Sequence, residues 1–261
     1  AIRFFKNNGD GILEYESYIP LASPPHSIDS ADINNDGFPD LVVALDGIDE
    51  LMLFLGASFP NFSDPIYLFA NERPNEVLIA DLNQDGKPDI VTTNEFDAGV
   101  TALIQKPDTF EFSMSYTNTG SRPRSIEIAD FNGDFYPDLA VGNYGSDTVS
   151  ILLGSESGQF TVATSFQTEE RPSALVISDF NDDGQPDIYV ASYSDNNVIM
   201  HENLGGLQFV RRNRYYTDGA PFHAIGADFD LNGLDDIMIA KEYGSTTLTY
   251  MPHRCPSLPN K

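Results

Sequence analysis

The chain has 261 residues, 41% of them hydrophobic, enough to build a substantial core and too many for a disordered segment. Fourteen Lys and Arg stand against 40 Asp and Glu, a net charge of −26, which argues against nucleic acid and anionic membrane surfaces as partners. A single cysteine, Cys255, excludes an intrachain disulfide framework and a cysteine-based zinc site; no apolar run is long enough to insert in a membrane, and residue 1 begins without a signal-peptide pattern.

In chain order, the first predicted elements are two β-rich runs, Ile2-Arg3-Phe4-Phe5 and Leu13 to Tyr18. Then comes the first of five related segments: DINNDGFPDLVV from Asp32, DLNQDGKPDIVT from Asp81, DFNGDFYPDLAV from Asp130, DFNDDGQPDIYV from Asp179 and DFDLNGLDDIMI from Asp228. Each starts 49 residues after the one before, with no insertion or deletion. The unit predicts four short strands. A small apolar run precedes each motif (Ile126 to Ala129), and a β-rich run follows it directly (Leu41 to Ala44). A polar turn leads to a third run (Val149 to Leu153), and a glycine-rich turn to a weaker fourth (Phe160 to Phe166). Pro39, Pro88, Pro137 and Pro186 stand where a helical repeat would have to run. Four strands in such a period are the length of a propeller blade, so the expected fold is all-β: a five-bladed β-propeller, four antiparallel strands per blade.

Projected backwards, the period puts Ile2 to Phe5 on the third strand of a blade, the position that Thr247 to Tyr250 holds at the other end. Residues 1–261 are therefore expected to form one propeller domain that starts and stops within the same blade. That blade would take its fourth strand from Leu13 to Tyr18, and one copy of the duplicated third strand must be displaced, swapped or placed at an edge.

Within each motif, positions 1, 3, 5 and 9 carry carboxylates or amides, and position 7 offers its backbone carbonyl. The expected ligand sets are Asp32, Asn34, Asp36, Phe38 and Asp40; Asp81, Asn83, Asp85, Lys87 and Asp89; and Asp130, Asn132, Asp134, Tyr136 and Asp138. The fourth is Asp179, Asn181, Asp183, Gln185 and Asp187, and the fifth Asp228, Asp230, Asn232, Leu234 and Asp236. All-oxygen sets with irregular geometry suit Ca²⁺, up to five ions, better than Mg²⁺, which resists giving up its waters. Glycine at position 6 (Gly37, Gly86, Gly184, Gly233) permits the sharp turn. The third motif has Phe135 there, at a cost of about 1–3 kcal/mol for a bulky residue at positive φ, so its site is expected to be the weakest. An EF-hand is excluded, because position 12 (Val43, Thr92, Val141, Val190, Ile239) lies inside a strand and offers no glutamate.

The D-x-N-x-D-G-x-P-D run between two strands resembles the calcium loop of FG-GAP/VCBS repeats, the blades of integrin α-subunit heads. Ser157-Gly158-Gln159-Phe160 and the Arg122-Pro123 and Arg171-Pro172 dipeptides fit the same pattern. Five repeats depart from the seven usual in that family. The resemblance implies an extracellular, secreted or cell-surface, non-catalytic module; relatives include adhesion receptors, lectins and appendages of larger enzymes. It also implies that the calcium loops occupy one face, which leaves the connectors and second-strand turns on the other. Arg73, Arg122 and Arg171 hold equivalent connector positions there, beside Tyr144 and Tyr193.

Two readings of that face stay open: recognition of a glycan or protein ligand through these side chains, or arginines that pair with carboxylates and lock neighbouring blades. A calcium-stiffened structural or spacer domain is the alternative function, and a propeller-type carbohydrate-active enzyme a remote one. His26 and His223 are thin grounds for acid–base chemistry, and His201, on a strand position otherwise held by Phe54, Leu103 and Leu152, is expected to pack. Asn61-Phe62-Ser63 is an N-glycosylation acceptor pattern, in keeping with secretion.

Overall fold

The computed structural model describes residues 1–107, 109–244 and 247–252; Cys255 lies outside them. All 21 regular elements among the described residues are β-strands. Residues divide into two compact units, Ala1–Pro123 with Gly154–Gln159, and Arg124–Leu153 with Phe160–Lys261.

In the first unit, β1 (Ile2–Asn7) and β2 (Leu13–Ile19) form an antiparallel hairpin. It is followed by two four-stranded antiparallel sheets. The first has the order β3 (Pro25–Ala31), β4 (Asp40–Leu45), β5 (Glu50–Phe54), β6 (Ile66–Phe69). The second is β7 (Pro74–Ala80), β8 (Asp89–Asn94), β9 (Gly99–Gln105), β10 (Phe112–Asn118).

The second unit holds two more such sheets. These are β11 (Pro123–Ala129), β12 (Asp138–Asn143), β13 (Thr148–Leu153), β14 (Thr161–Gln167), and β15 (Pro172–Ser178), β16 (Asp187–Ser192), β17 (Asn197–Asn203), β18 (Phe209–Tyr216). Its last sheet has three strands, β19 (Pro221–Ala227), β20 (Asp236–Lys241) and β21 (Leu248–Met251). The duplicated third strand is thereby placed: Leu248–Met251 pairs with β20, whereas Ile2–Asn7 pairs with Leu13–Ile19 in a sheet of its own.

Residue chemistry explains this regularity. Every motif-bearing sheet opens on proline (Pro25, Pro74, Pro123, Pro172, Pro221), which has no N–H to give to a ladder and is tolerated at a strand's first residue. The second strands β4, β8, β12 and β16 are buried at every residue, as their near-continuous Val/Ile/Leu-rich runs lead one to expect. The fourth strands β6, β10, β14 and β18 are mostly exposed.

Successive sheets of one unit share a core. Val42 and Leu53 meet Val77, Ile90 and Leu103 in the first unit; Val149 and Ile151 meet Leu175, Ile188 and Val190 in the second. Each such side chain contributes about 1.5–3 kcal/mol when fully buried. The hairpin is tied down in the same way, with Ile2, Phe4 and Ile19 packed on Leu41, Val43 and Phe54. Four-stranded antiparallel sheets recurring at the motif period are the blades of a five-bladed β-propeller.

Candidate metal loops and the arginine connectors

Each motif forms the loop between the first and second strands of its sheet, and all five loops close in one pattern. The position-1 carboxylate accepts the N–H groups of positions 5 and 6. In the first loop these bonds are Asp36 N to Asp32 Oδ1 (3.0 Å) and Gly37 N to Asp32 Oδ2 (2.8 Å). They recur on Asp81, Asp130, Asp179 and Asp228 at 2.7–3.3 Å. The position-5 side chain then accepts the position-7 N–H: Phe38, Lys87, Tyr136 and Gln185 donate to Asp36, Asp85, Asp134 and Asp183, and Leu234 to Asn232, all at 2.8–3.0 Å. Two left-handed residues make the curl. Position 4 is Asn35, Gln84, Gly133, Asp182 or Leu231, at φ 57–77°, and position 6 is a glycine at φ 84–89° in four loops. Phe135 takes the same turn at φ 74°, with its ring 79% exposed. The third loop therefore forms, with a strained residue in it.

Position 9 reaches into the sheet. Asp40, Asp89, Asp138, Asp187 and Asp236 open the second strand of each sheet and are fully buried. One oxygen accepts the loop's position-2 N–H (Ile33 2.9 Å, Leu82 3.0 Å, Phe131 2.9 Å, Phe229 3.1 Å). In three sheets the other accepts an N–H at the end of the third strand (Gly56 2.7 Å, Gln105 2.8 Å, Asn203 2.8 Å). This carboxylate ties loop to sheet whether or not an ion is present.

The donor set has the chemistry a hard cation requires. In the fifth loop, oxygens of Asp228, Asp230 and Asp236 lie within 4.8 Å of one another, a concentration of negative charge that a cation relieves. In the fourth, the buried Asp187 Oδ2 makes no hydrogen bond within normal limits, with the Phe180 N–H lying only loosely on it. Burial, reinforced by the neighbouring loop carboxylates, pushes Asp89 and Asp187 up to about 6 and raises Asp40. Oxygen-only donors, clustered and partly desolvated, fit Ca²⁺.

The connectors present a different chemistry. Arg73, Arg122 and Arg171 all adopt the left-handed conformation, at φ 57°, 52° and 60°. In the first unit, Arg73 Nε donates to Asp46 Oδ1 (3.1 Å) and its Nη1 lies 3.2 Å from Glu95 Oε2. Arg122 reaches the same glutamate, with Nε at 3.0 Å and Nη2 at 2.5 Å from Oε1. The Glu95 side chain is fully buried, while Arg73 is 24% and Arg122 44% exposed. In the second unit, Tyr144 is buried, with Arg124 at 3.9 Å over its ring and Arg171 at 5.7 Å. Tyr193 lies 6.2 Å from Tyr144, and its hydroxyl donates to Glu242.

These contacts have the form of locks between neighbouring sheets. Tyr144 is covered, so its ring is not an open stacking platform. Glu95 and Asp46, the residues that engage the arginines, were missed in the sequence; their signal was an acid immediately after the second strand. His26 Nε2 lies 3.4 Å from Asp46, His223 stands exposed on β19, and His201 is buried against Phe166 at 4.8 Å as expected.

The chain matches the sequence profile described as FG-GAP-like repeat over residues 81–141, 130–190 and 179–239. No curated protein matches it. Among solved structures, it is similar to BBS1N in complex with ARL6DN, soaked with lead, at 12% identity and a TM-score of 0.61, covering 93% of this chain and 70% of that one. The mercury-soaked form of that complex gives 14% and 0.61, over 97% and 81%. A functionally unknown protein from Desulfotomaculum acetoxidans DSM 771 gives 13% and 0.61, over 95% and 77%. At such identities the likeness is one of fold.

Proposed function

The chain belongs to the FG-GAP-like repeat family, and from that premise we propose that it is a calcium-loaded, non-catalytic recognition module that works outside cells. The observation that carries the reading is the uniform loop: five copies, each closing oxygen donors at positions 1, 3, 5 and 9 with the same hydrogen bonds. Calcium would be held by the five ligand sets named above, and its role is charge neutralisation and stiffening. Ten positive charges from five ions would bring the net charge from −26 to −16. Extracellular sites of this ligand type bind with Kd of about 10⁻⁴–10⁻³ M, which suits calcium levels outside cells. A protein partner is supported by BBS1N, a propeller neighbour solved in complex with ARL6DN; a glycan is the other ligand class.

A calcium-stiffened spacer is the second reading, favoured by the engagement of Arg73 and Arg122 with buried Glu95. The two readings separate on one preparation of the calcium-loaded protein, by binding to arrays of glycans and of extracellular protein domains. Saturable, EGTA-sensitive binding supports recognition. Calcium loading with no binding on either array leaves the spacer.

A further inference from the structure

Resting on the reading that the chain works outside cells, we propose that Asn61 is N-glycosylated and that the first sugar of the glycan packs on the aromatic residues beside it. Asn61-Phe62-Ser63 is the only Asn-x-Ser/Thr triplet in the sequence. Such triplets arise readily by chance, and two features of the structure single this one out.

The first is presentation. Asn61 is exposed, in the turn between β5 and β6. The Gly56–Phe62 bridge and the Ser63 N–H on the Leu55 carbonyl (2.8 Å) close the base of that turn. Within it, the Ala57 N–H binds the Asn61 carbonyl (3.0 Å) and the Asn61 N–H binds the Ser58 carbonyl (3.1 Å). Asn61 Nδ2 also donates to the Ser58 carbonyl, at 2.9 Å. A side-chain amide has two N–H donors, and N-linkage replaces only one. The bond to Ser58 is therefore kept after modification, and it orients the linkage.

The second is an apolar face within reach of the tether. Phe59, two residues before Asn61, is 54% exposed. Phe4 meets it edge-on at 5.8 Å and stacks on Phe62 at 5.1 Å. With Pro39, Leu41 and Ala57 these rings line a hollow of about 220 Å³ in the first unit. Sites for free small molecules run to roughly 300–1,000 Å³, so the hollow is small for a ligand that arrives untethered. A covalently held one needs less contact, because the linkage keeps it at high effective concentration. A pyranose presents a face of C–H groups to such rings and takes their exposed surface out of water.

The donor is a polyprenyl-diphosphate-linked oligosaccharide. Asn61 Nδ2 bonds to the anomeric carbon of its first N-acetylglucosamine, the bond from that carbon to the diphosphate oxygen breaks, and one amide proton passes to solvent. No electrons change hands. In the folded chain Ser63 Oγ accepts the Leu55 N–H (3.0 Å) and donates to the Asp64 carbonyl (2.8 Å), so the hydroxyl of the acceptor triplet is engaged. Transfer therefore precedes closure of this turn.

The test expresses the chain behind a cleavable secretion signal in eukaryotic cells and reads it both inside the cells and in the medium. Entry into the lumen is thus enforced, and export is not required. Peptide mass spectrometry should find an N-glycosidase-sensitive glycan on Asn61, and Asn61→Gln should abolish it. Protein trimmed to a single sugar residue should melt about 2–4 °C above the same sequence made unglycosylated in bacteria, both in calcium, the shift that about one added ring contact brings. Phe59→Ala should erase that difference. An unmodified Asn61 overturns the proposal, and so does a difference that Phe59→Ala leaves intact. Calcium content of the same samples separates the two readings. Calcium-loaded chain with Asn61 unmodified overturns the glycan site alone, whereas glycosylated chain that takes up no calcium supports the site and overturns the calcium reading.

Discussion

Replacing both Arg73 and Arg122 by alanine strips a fully buried carboxylate, Glu95, of the two guanidiniums that face it. Uncovering a buried ionised group costs about 3–5 kcal/mol, because its desolvation is no longer offset. The arginines are 24% and 44% exposed, and water would replace part of what they supply, so the lower end, about 3 kcal/mol, is the working figure. At about 2–4 °C per kcal/mol for a chain approaching this size, the double variant should melt about 6–12 °C lower in calcium. Arg122→Ala alone, with Arg73 still on Glu95, should cost only about 1 kcal/mol. Alanine shares arginine's cost in the left-handed conformation, so the backbone contribution cancels. Adding Glu95→Gln to the double variant should return part of the loss, since the charge that became unpaired is gone. Thermal melts of the parent and the three variants measure each of these differences. A double variant that melts within a degree of the parent refutes the lock, and lost ligand binding at an unchanged melting temperature would restore the arginine face as a recognition surface.

Phe135→Gly should stabilise the third loop by about 1–2 kcal/mol, because an exposed ring at φ 74° gives up little packing; the check is a raised melting temperature and tighter calcium binding at that loop. Gly56→Ala should destabilise by about 1–3 kcal/mol, read by urea denaturation, since its Cβ would fall 2.1 Å from the Pro39 carbonyl while the Gly56 N–H must stay on Asp40. Calcium affinity should fall as pH drops through about 6, where Asp89 and Asp187 take up protons in the folded, ion-free chain, and calorimetric titrations at pH 7.5 and pH 5 measure it. The sign without calcium is opposite. Folded-state pKa values raised above 3.8 penalise the folded chain as pH rises from about 4 to about 6, so these two groups make the ion-free protein more stable at the acidic end.

The loops were legible from the sequence because their chemistry is local. Position-1 carboxylate, position-6 glycine and the strand that follows lie within a dozen residues, and the backbone has few ways to join them. The 49-residue period carried the four-strand blades for the same reason. What the sequence hid depends on partners far along the chain. That Arg73 and Arg122 converge on Glu95 requires knowing where the second strand ends and which connector passes it. The double duty of Asp40, which reaches Gly56 sixteen residues on, needs the third strand in register. The pairing of Ile2–Asn7 with Leu13–Ile19 was hidden because two segments compete for one strand position, and hydrophobic pattern alone does not rank them.

The central claim, that each of the five loops takes a calcium ion, is tested most directly by counting. Chelator-stripped protein dialysed against about 10 mM calcium, roughly ten to a hundred times the Kd expected for such sites, and analysed for metal should carry close to five Ca²⁺ per chain, or four if the strain at Phe135 leaves the third loop open. At that excess each ion stabilises the fold by about 1.4–2.7 kcal/mol, so the loaded protein should melt far above the same protein in EGTA. A count near zero with superimposable melting curves in calcium and EGTA would contradict the account.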